Sequence, residues 1–248
     1  MNVIVFAPHE DDEAFACAGT IAKHKLEGDA VSIVFMTDGR LGVNKMIEGK
    51  YTPDQLAQER KKEALAAAKA IGVPKNDVIF LGYHDQDLAN HHDEAIQRIG
   101  DLVKKIQPTF IYQAVTNYGH VDHLAMFFFV FEAAKSIGFT GEIRVSKPMG
   151  LLLPAKPPTK EADSRMELVE KDFKKIDSIT IDISRTFETK IAAGMAHKTQ
   201  LGMFWAMVDP KDDFESVVKE GMADIFQDKV EVFERRVIIP MPAKKKMT

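Results

Sequence analysis

Cysteine is almost missing from this 248-residue chain, which contains only Cys17. A single thiol cannot form an internal disulfide, so a disulfide-stabilised scaffold is excluded. The chain is 45% hydrophobic, which is enough for a core without cross-links and too much for a chain that stays disordered. One cysteine also fits a reducing compartment.

Long apolar runs are missing as well. The longest, residues 124–131, has eight residues, whereas a membrane-spanning helix needs about 20. Residues 1–7 have neither the basic start nor the extended apolar core of a secretory signal. We therefore expect no membrane span and a cytoplasmic location.

The chain also lacks an excess of positive charge. It has 33 Lys and Arg residues against 37 Asp and Glu residues, a formal net charge of −4. A broad basic surface for nucleic acid is therefore not expected. The loop after the first predicted strand lacks the Gly-x-Gly-x-x-Gly pattern of dinucleotide-binding folds, and its carboxylates would repel a pyrophosphate.

Short strand-like runs alternate with helical segments through the first 140 residues. This alternation predicts βαβ units and a mostly parallel sheet. Residues 52–55, Thr-Pro-Asp-Gln, have the form of a capping box at the start of a helix. The expected strands are 2–7, 31–36, 78–81 and 110–114, and the expected helices are 14–27, 53–71, 93–106 and 124–137.

The second half of the chain is less regular. Strands are expected at 179–183 and 230–239, and helices at 186–200 and 212–222. We expect an α/β fold, a Rossmann-like three-layer α/β/α arrangement in one domain, residues 1–248. Residues 1–140 would form its βα core, and residues 141–248 would complete the sheet and shape the mouth of the site.

The first strand runs directly into Pro8-His9-Glu10-Asp11-Asp12-Glu13. Parallel α/β sheets bind ligands at the carboxyl ends of their strands, so a site is expected here. His9 and Asp12 are three residues apart, and a tight turn can direct both side chains at one ion. The alternative is a charged turn whose carboxylates cap the next helix.

The fourth strand runs into a second polar segment, Asn117-Tyr118-Gly119-His120-Val121-Asp122-His123. His120 and His123 are three residues apart with a carboxylate between them. These residues would also serve as simple caps of the next helix. If the first and fourth strands flank the point where the strand order reverses, both segments converge there.

Together the two segments contain the groups of a catalytic metal site. His9, Asp12 and His123 offer two imidazoles and one carboxylate, which leaves a coordination position open. Asp11 and His120 remain as acid–base groups, as metal-assisted hydrolysis requires. The same ligands serve zinc hydrolases and iron(II) oxygenases, so they do not fix the metal. A domain that binds a metal or sugar without turnover would lack the base or the oxyanion group.

The two segments resemble the signatures of the LmbE/PIG-L family of zinc-dependent de-N-acetylases. Weaker matches follow in the family's order over most of the chain, and their order and spacing make the resemblance specific. They are Cys17-Ala18-Gly19-Thr20-Ile21, Thr37-Asp38-Gly39, Glu59-Arg60-Lys61-Lys62-Glu63, Phe80-Leu81-Gly82-Tyr83 and His197-Lys198-Thr199-Gln200.

The resemblance implies a hydrolase that removes the N-acetyl group from an N-acetylglucosamine-containing small molecule. Acetate and a free amine would be released. The alternative within the family is an amidase acting on a thiol-sugar conjugate or another acyl-amine. The oligomeric state stays open, since members of the family often assemble as trimers or hexamers.

The resemblance also implies roles for individual residues. His9, Asp12 and His123 would bind one Zn²⁺ per subunit, and Asp11 would be the general base that takes a proton from water. The other implied roles are His120 for the oxyanion or the leaving amine, Asp122 for orienting His120, Tyr118 for polarising the carbonyl, and Arg60, Arg40 and His197 for contacting substrate.

Three positions depart from the family pattern. Glu10 and Val121 stand where proline is usual, and Thr199 stands where serine is usual. None of these changes removes a chemical group. The charge of Glu10 is expected near the mouth, where it would alter substrate choice. Residues 40–51 and 147–165 are expected to form the lid of the site.

Other polar residues have simpler expected roles. Asp38 is expected to cap a turn. The loop that contains His84, Asp85, His91 and His92 is expected to be solvated, because no pair in it follows a strand end at the spacing of a metal site.

Overall fold

The computed structural model describes residues 1–115, 119–147, 167, 169–207 and 213–239, with only the backbone of 203–207. Its described strands form one seven-stranded sheet in the order β3-β2-β1-β4-β5-β7-β6. They are β1 (Asn2–Ala7), β2 (Ala30–Thr37), β3 (Val78–Tyr83), β4 (Phe110–Gln113), β5 (Glu142–Ser146), β6 (Phe173–Asp182) and β7 (Val230–Ile238).

The first five strands of the chain are parallel, whereas β7 pairs antiparallel with β5 and with β6. The predicted mostly parallel sheet is therefore confirmed. β5 was not among the strands predicted from the sequence. The strand order reverses between β1 and β4, so the two polar segments do meet at the switch point.

Helices cover both faces of this sheet. Their bounds are α1 (Asp12–Leu26), α2 (Pro53–Ala70), α3 (His92–Ile106), α4 (Val121–Ser136), α5 (Phe187–Ala196) and α6 (Phe214–Ile225), with a 3₁₀ segment Lys198–Met207 after α5. No helix in the described ranges is long and apolar enough to cross a membrane.

The alternation of side chains along the strands separates two cores. Ile4 and Phe6 of β1 pack with α3 and α4 on one face, and Val3 and Val5 pack with α1 and α2 on the other. This is the predicted three-layer arrangement, since successive residues of a strand point to opposite faces. A third apolar cluster joins α5 to α6 and to Phe15 of α1.

Several helix ends differ from their predicted positions. The capping box at Thr52 and Gln55 is present as expected. α1 and α4 begin two and three residues early, at Asp12 and Val121, so the ends of both polar segments lie in first helical turns, where negative charge is favoured by the helix dipole. The helix predicted to reach residue 200 ends at Ala196 and continues as 3₁₀.

Candidate active site

A tight turn carries the chain from β1 into α1. The carbonyl of His9 accepts hydrogen bonds from the backbone N–H groups of Asp11 and Asp12, at 3.1 and 3.4 Å. In return, Oδ2 of Asp12 accepts from the backbone N–H of His9 at 3.0 Å. The turn therefore directs His9 and Asp12 to the same place, as their spacing predicts.

Ring nitrogens from both polar segments converge on the Asp12 carboxylate. Oδ2 of Asp12 lies 3.3 Å from Nδ1 of His9 and 3.4 Å from Nε2 of His123. One nitrogen each of His9, His120 and His123 lie within 4.8 Å of one another. Two imidazoles and a carboxylate thus meet in a space that suits one small cation, and His120 borders it.

The opposite edge of the His9 ring faces two more carboxylates. Its Nε2 lies 3.2 Å from Oδ2 of Asp122 and 3.3 Å from Oδ1 of Asp85. Burial alone would lower the pKa of His9, but Asp12, Asp122 and Asp85 outweigh it and hold the pKa well above its usual range. So many carboxylates around one imidazole favour additional positive charge at this point.

The other two imidazoles favour the neutral form. Burial lowers the pKa of His123 to about 4, and burial together with neighbouring His9 lowers the pKa of His120. Nδ1 of His120 accepts the backbone N–H of Asp122 at 3.2 Å. The neutral His120 ring therefore carries its proton on Nε2, which makes that atom a hydrogen-bond donor.

Asp122 is placed differently from the role that the resemblance implied. Its Oδ2 lies 3.9 Å from Nδ1 of His120 but 3.2 Å from Nε2 of His9. It also accepts the backbone N–H groups of Gln86 at 2.6 Å and Leu88 at 3.3 Å. The carboxylate of Asp122 therefore orients His9, and the backbone N–H of Asp122 orients His120.

Arg60 of α2 lies behind the turn. Its guanidinium is 3.2 Å from Oδ1 of Asp11 and donates to the carbonyls of Glu10 at 2.8 Å and Gly39 at 3.3 Å. Gly39 has a φ of +56°, and a Cβ there would lie 2.6 Å from Cζ of Arg60. Arg60 is only 2% exposed, so it holds Asp11 and is not open to a ligand.

The segments that carry these groups lie within a match to a known family. Residues 4–134 match the family model of PIG-L, the GlcNAc-PI de-N-acetylases, which is slightly more than half of the 248 residues. The chain belongs to the PIG-L family. One relative is the probable N-acetyl-alpha-D-glucosaminyl L-malate deacetylase 2 of Bacillus cereus, 29% identical over 201 residues that cover 80% of this chain and 83% of that protein.

Solved structures share the PIG-L fold of this chain. The zinc-inhibited form of a teicoplanin deacetylase superposes with a TM-score of 0.70 at 12% identity, covering 98% of this chain and 100% of that one. The N,N′-diacetylchitobiose deacetylase from Pyrococcus horikoshii, complexed with its inhibitor, gives a TM-score of 0.62 at 22% identity and covers 96% and 84%. At these identities the likeness shows the fold alone.

Asp85 lies in the candidate site beside His9, which the sequence did not lead us to expect. The expectation of a solvated loop is wrong for Asp85, which is 6% exposed. Its Oδ2 accepts the backbone N–H of Leu41 at 3.1 Å, and burial is outweighed by His9, which lowers the pKa of Asp85 to about 2. Its position just after the carboxyl end of β3, which ends at Tyr83, was the signal available in the sequence.

Glu10 is not near the mouth, contrary to expectation. It is 1% exposed, and its Oε2 lies 3.8 Å from Nε of Arg60. Burial raises the pKa of Glu10 to about 7 in spite of that guanidinium. The residue that replaces the usual proline therefore lies beneath the turn and not in the path of a substrate.

Arg40 lies at the rim of the site. Its guanidinium pairs with Oδ2 of Asp38 at 2.8 Å and with Oδ1 of Asp54 at 3.1 Å. Asp38 also accepts the backbone N–H groups of Arg40 at 3.2 Å and Asp85 at 3.3 Å, so its predicted role as a turn cap is confirmed. Arg40 keeps 22% of its side chain exposed, as a substrate contact requires.

His197 lies behind the site and not at its surface. It is 0% exposed, and its Nε2 is 2.8 Å from Oε1 of Glu13. Burial lowers the pKa of His197, but the Glu13 carboxylate more than compensates and the net shift is upward. Contact with substrate does not fit this geometry. Tyr118 and nearly all of the predicted lid at 147–165 lie outside the described residues.

Proposed function

We propose that this chain is a metal-dependent N-deacetylase that hydrolyses the acetamide of an N-acetylglucosamine-containing small molecule. The observation that carries the proposal is the convergence of His9, Asp12 and His123 beside the carboxylate of Asp11. Membership of the PIG-L family and a relative named for a malate conjugate of this sugar support the choice of substrate.

The donor set fits Zn²⁺. Nδ1 of His9, the Asp12 carboxylate and Nε2 of His123 would hold it, and the low pKa of His123 keeps that ring nitrogen unprotonated, as metal binding requires. Nε2 of His9 would donate to Asp122 and so fix the ring. When bound, zinc lowers the pKa of a water molecule and polarises a carbonyl.

Asp11 is the proposed general base. Its side chain is 14% exposed, and Arg60 holds Oδ1 at 3.2 Å, so Oδ2 is the atom proposed to accept a proton from water. The oxygen of that water forms the new bond to the acetyl carbon, and the C–N bond breaks. The proton held by Asp11 then goes to the departing amine nitrogen, and acetate is the second product.

His120 is proposed to stabilise the carbonyl oxygen. Its Nδ1 is engaged by the N–H of Asp122, so Nε2–H is directed outward as a donor to the negative charge that develops on that oxygen. Its lowered pKa keeps the ring neutral near neutral pH. His120 therefore contributes a hydrogen bond, and the proton for the amine comes from Asp11.

The experiment combines metal analysis with acetate release. The purified protein is assayed with free N-acetylglucosamine, a chitobiose-type sugar, and N-acetylglucosaminyl conjugates of malate and inositol. We expect one zinc per chain, acetate from at least one substrate, loss of activity with a chelator and its return with stoichiometric zinc. Iron(II) and excess zinc are separate arms, since a similar deacetylase has a zinc-inhibited form.

Acetate from none of these substrates, with the site filled by metal, would overturn the proposal. It would favour the alternatives, an amidase for a thiol-sugar conjugate or another acyl-amine, or a domain that binds without turnover. Release of another acyl group from such a conjugate distinguishes the first alternative from the second.

The single domain and the cytoplasmic location stay predictions, and the oligomeric state stays open. The first is supported by one sheet that takes strands from both halves of the chain.

A further inference from the structure

The motif His197-Lys198-Thr199-Gln200 is not used by the proposed chemistry, yet most of it is buried. His197, Thr199 and Gln200 are 0%, 3% and 7% exposed, whereas Lys198 is exposed. The three buried side chains each bond to a different element around the site. We refer to these three buried residues, His197, Thr199 and Gln200, as the clamp segment.

The first contact of the clamp segment holds the start of α1. Nε2 of His197 lies 2.8 Å from Oε1 of Glu13, and both residues are 0% exposed. Glu13 directly follows Asp12 in the first turn of α1. Movement of Glu13 would therefore move the backbone that carries both the proposed ligand Asp12 and the proposed base Asp11.

The second contact holds α2. Glu63 accepts two hydrogen bonds from Thr199, one from the backbone N–H at 2.8 Å and one from the hydroxyl at 2.6 Å. Arg60 lies one turn before Glu63 on the same helix, and its guanidinium contacts Asp11. Because two donors of Thr199 bond the two carboxylate oxygens of Glu63, both the distance between these residues and their relative orientation are fixed.

The third contact holds the loop after β2. Nε2 of Gln200 donates to the carbonyl of Gly42 at 3.1 Å, and Nδ2 of Asn44 donates to the carbonyl of Thr199 at 2.6 Å. In the same loop, the backbone N–H of Leu41 donates to Asp85, which faces His9. The loop that was expected to be part of a lid is thus anchored here.

We propose that the clamp segment positions Asp11, Asp12 and Asp85 for the reaction, and that His197 and Thr199 are positioning residues that do not contact substrate. The proposal rests on the proposed function, in which Asp11 is the base and Asp12 is a metal ligand. Its physical basis is that proton transfer and metal binding tolerate little displacement. A shift of about 1 Å far from the chemistry can cost on the order of a hundredfold in rate.

The test uses Thr199→Val, which has nearly the same shape but lacks the hydroxyl that bonds Glu63. We expect kcat to fall about tenfold or more, with a smaller change in KM, because the geometry of the reacting groups suffers more than substrate binding. Thr199→Ser restores the hydroxyl and should restore kcat. The matched control is Lys198→Ala, an exposed neighbour, which should behave as wild type.

A second readout is independent of turnover. Zinc affinity is measured by competition with a chelator, at a temperature where circular dichroism shows every variant folded. Thr199→Val should bind zinc several-fold more weakly than Lys198→Ala does. The double variant Thr199→Val with Glu63→Ala should be no worse than Glu63→Ala alone, since removing the Glu63 carboxylate already removes both hydrogen bonds that Thr199 makes to it.

The proposal is overturned if Thr199→Val matches Lys198→Ala in both kcat and zinc affinity, or if it lowers only the melting temperature. A wild-type protein that binds zinc but releases no acetate refutes the proposed function separately, and the zinc affinities of the variants then still decide whether the clamp segment positions the site.

Discussion

Helix α1 contacts two buried sets of charged groups, one beside residues 14–20 and one at the turn where the helix begins, and they are arranged differently. Beside residues 14–20, Lys190 of α5 and Glu231 of β7 form an ion pair at 2.6 Å. Both residues also form hydrogen bonds with the backbone of α1. Lys190 donates to the carbonyls of Ala14 and Phe15, at 3.2 and 2.7 Å. Glu231 accepts from the N–H groups of Gly19 and Thr20, at 3.1 and 2.8 Å.

The charges at the first turn of α1 are not balanced in this way. The carboxylates of Asp12, Asp85 and Asp122 surround the single imidazole of His9. Oδ1 of Asp85 is buried without a hydrogen bond among the described residues. The three carboxylates therefore carry more negative charge than the imidazole of His9 can balance.

The difference separates a structural role from a functional one. The Lys190–Glu231 pair has equal and opposite charges with all their bonds made inside the protein, so nothing further is needed there. The first-turn cluster is left with excess carboxylate that the proposed metal ion would offset, and its neighbours Asp11 and His120 are partly open to solvent. Both clusters are buried, so charge balance distinguishes them better than burial does.

The largest expected effect comes from removing the base beside the unbalanced cluster. Asp11→Asn keeps the shape of the side chain but cannot accept a proton. We expect kcat to fall by about 10² to 10⁴ while metal analysis still finds one zinc per chain. Asp101→Asn, at an exposed position of α3, serves as the control. Near-wild-type kcat in Asp11→Asn would contradict the assigned role.

The balanced pair is broken by Lys190→Met. Glu231 then stays as a buried charge without its partner, and we expect a loss of about 3–5 kcal/mol in the free energy of unfolding, measured in urea. Combining it with Glu231→Gln removes the stranded charge and should recover part of the loss. Exposed Lys219→Met should change little. A Lys190→Met protein as stable as this control would show that the pair is not structural.

The two clusters should also respond differently to metal. Zinc at a hundred times its dissociation constant should raise the free energy of unfolding by about 2.7 kcal/mol, because it supplies the charge that the first turn lacks. Asp12→Asn should abolish most of this gain, whereas Lys190→Met should keep it. An equal gain in all three proteins would place the metal elsewhere.

Much of the site could be predicted because its chemistry is local in the sequence. His9 and Asp12 belong to one turn, and His120 and His123 begin one helix. Each segment follows a strand that the pattern of β-branched residues identifies. The rule that parallel strands present ligands at their carboxyl ends then brings the two segments together.

Other features depend on partners that lie far apart in the chain. The Lys190–Glu231 pair, the contact of Thr199 with Glu63 and the burial of Asp85 against His9 join residues that no spacing relates. The expected placements of Glu10 and Asp85 were wrong for this reason. Each was judged by its neighbours in sequence, whereas packing against another element decided its exposure.

By itself, the sequence determined the alternation of strands and helices, the two polar segments at the switch point and the identity of the proposed ligands. Hydrophobic periodicity and ligand spacing are short-range properties, so they are visible without a fold. Only the tertiary structure decided which edge of the His9 ring faces Asp12 and which faces Asp122 and Asp85, and that His197 lies buried behind the site against Glu13. These outcomes depend on how α1, α2, α5 and the loop after β2 pack against one another, which no single segment encodes.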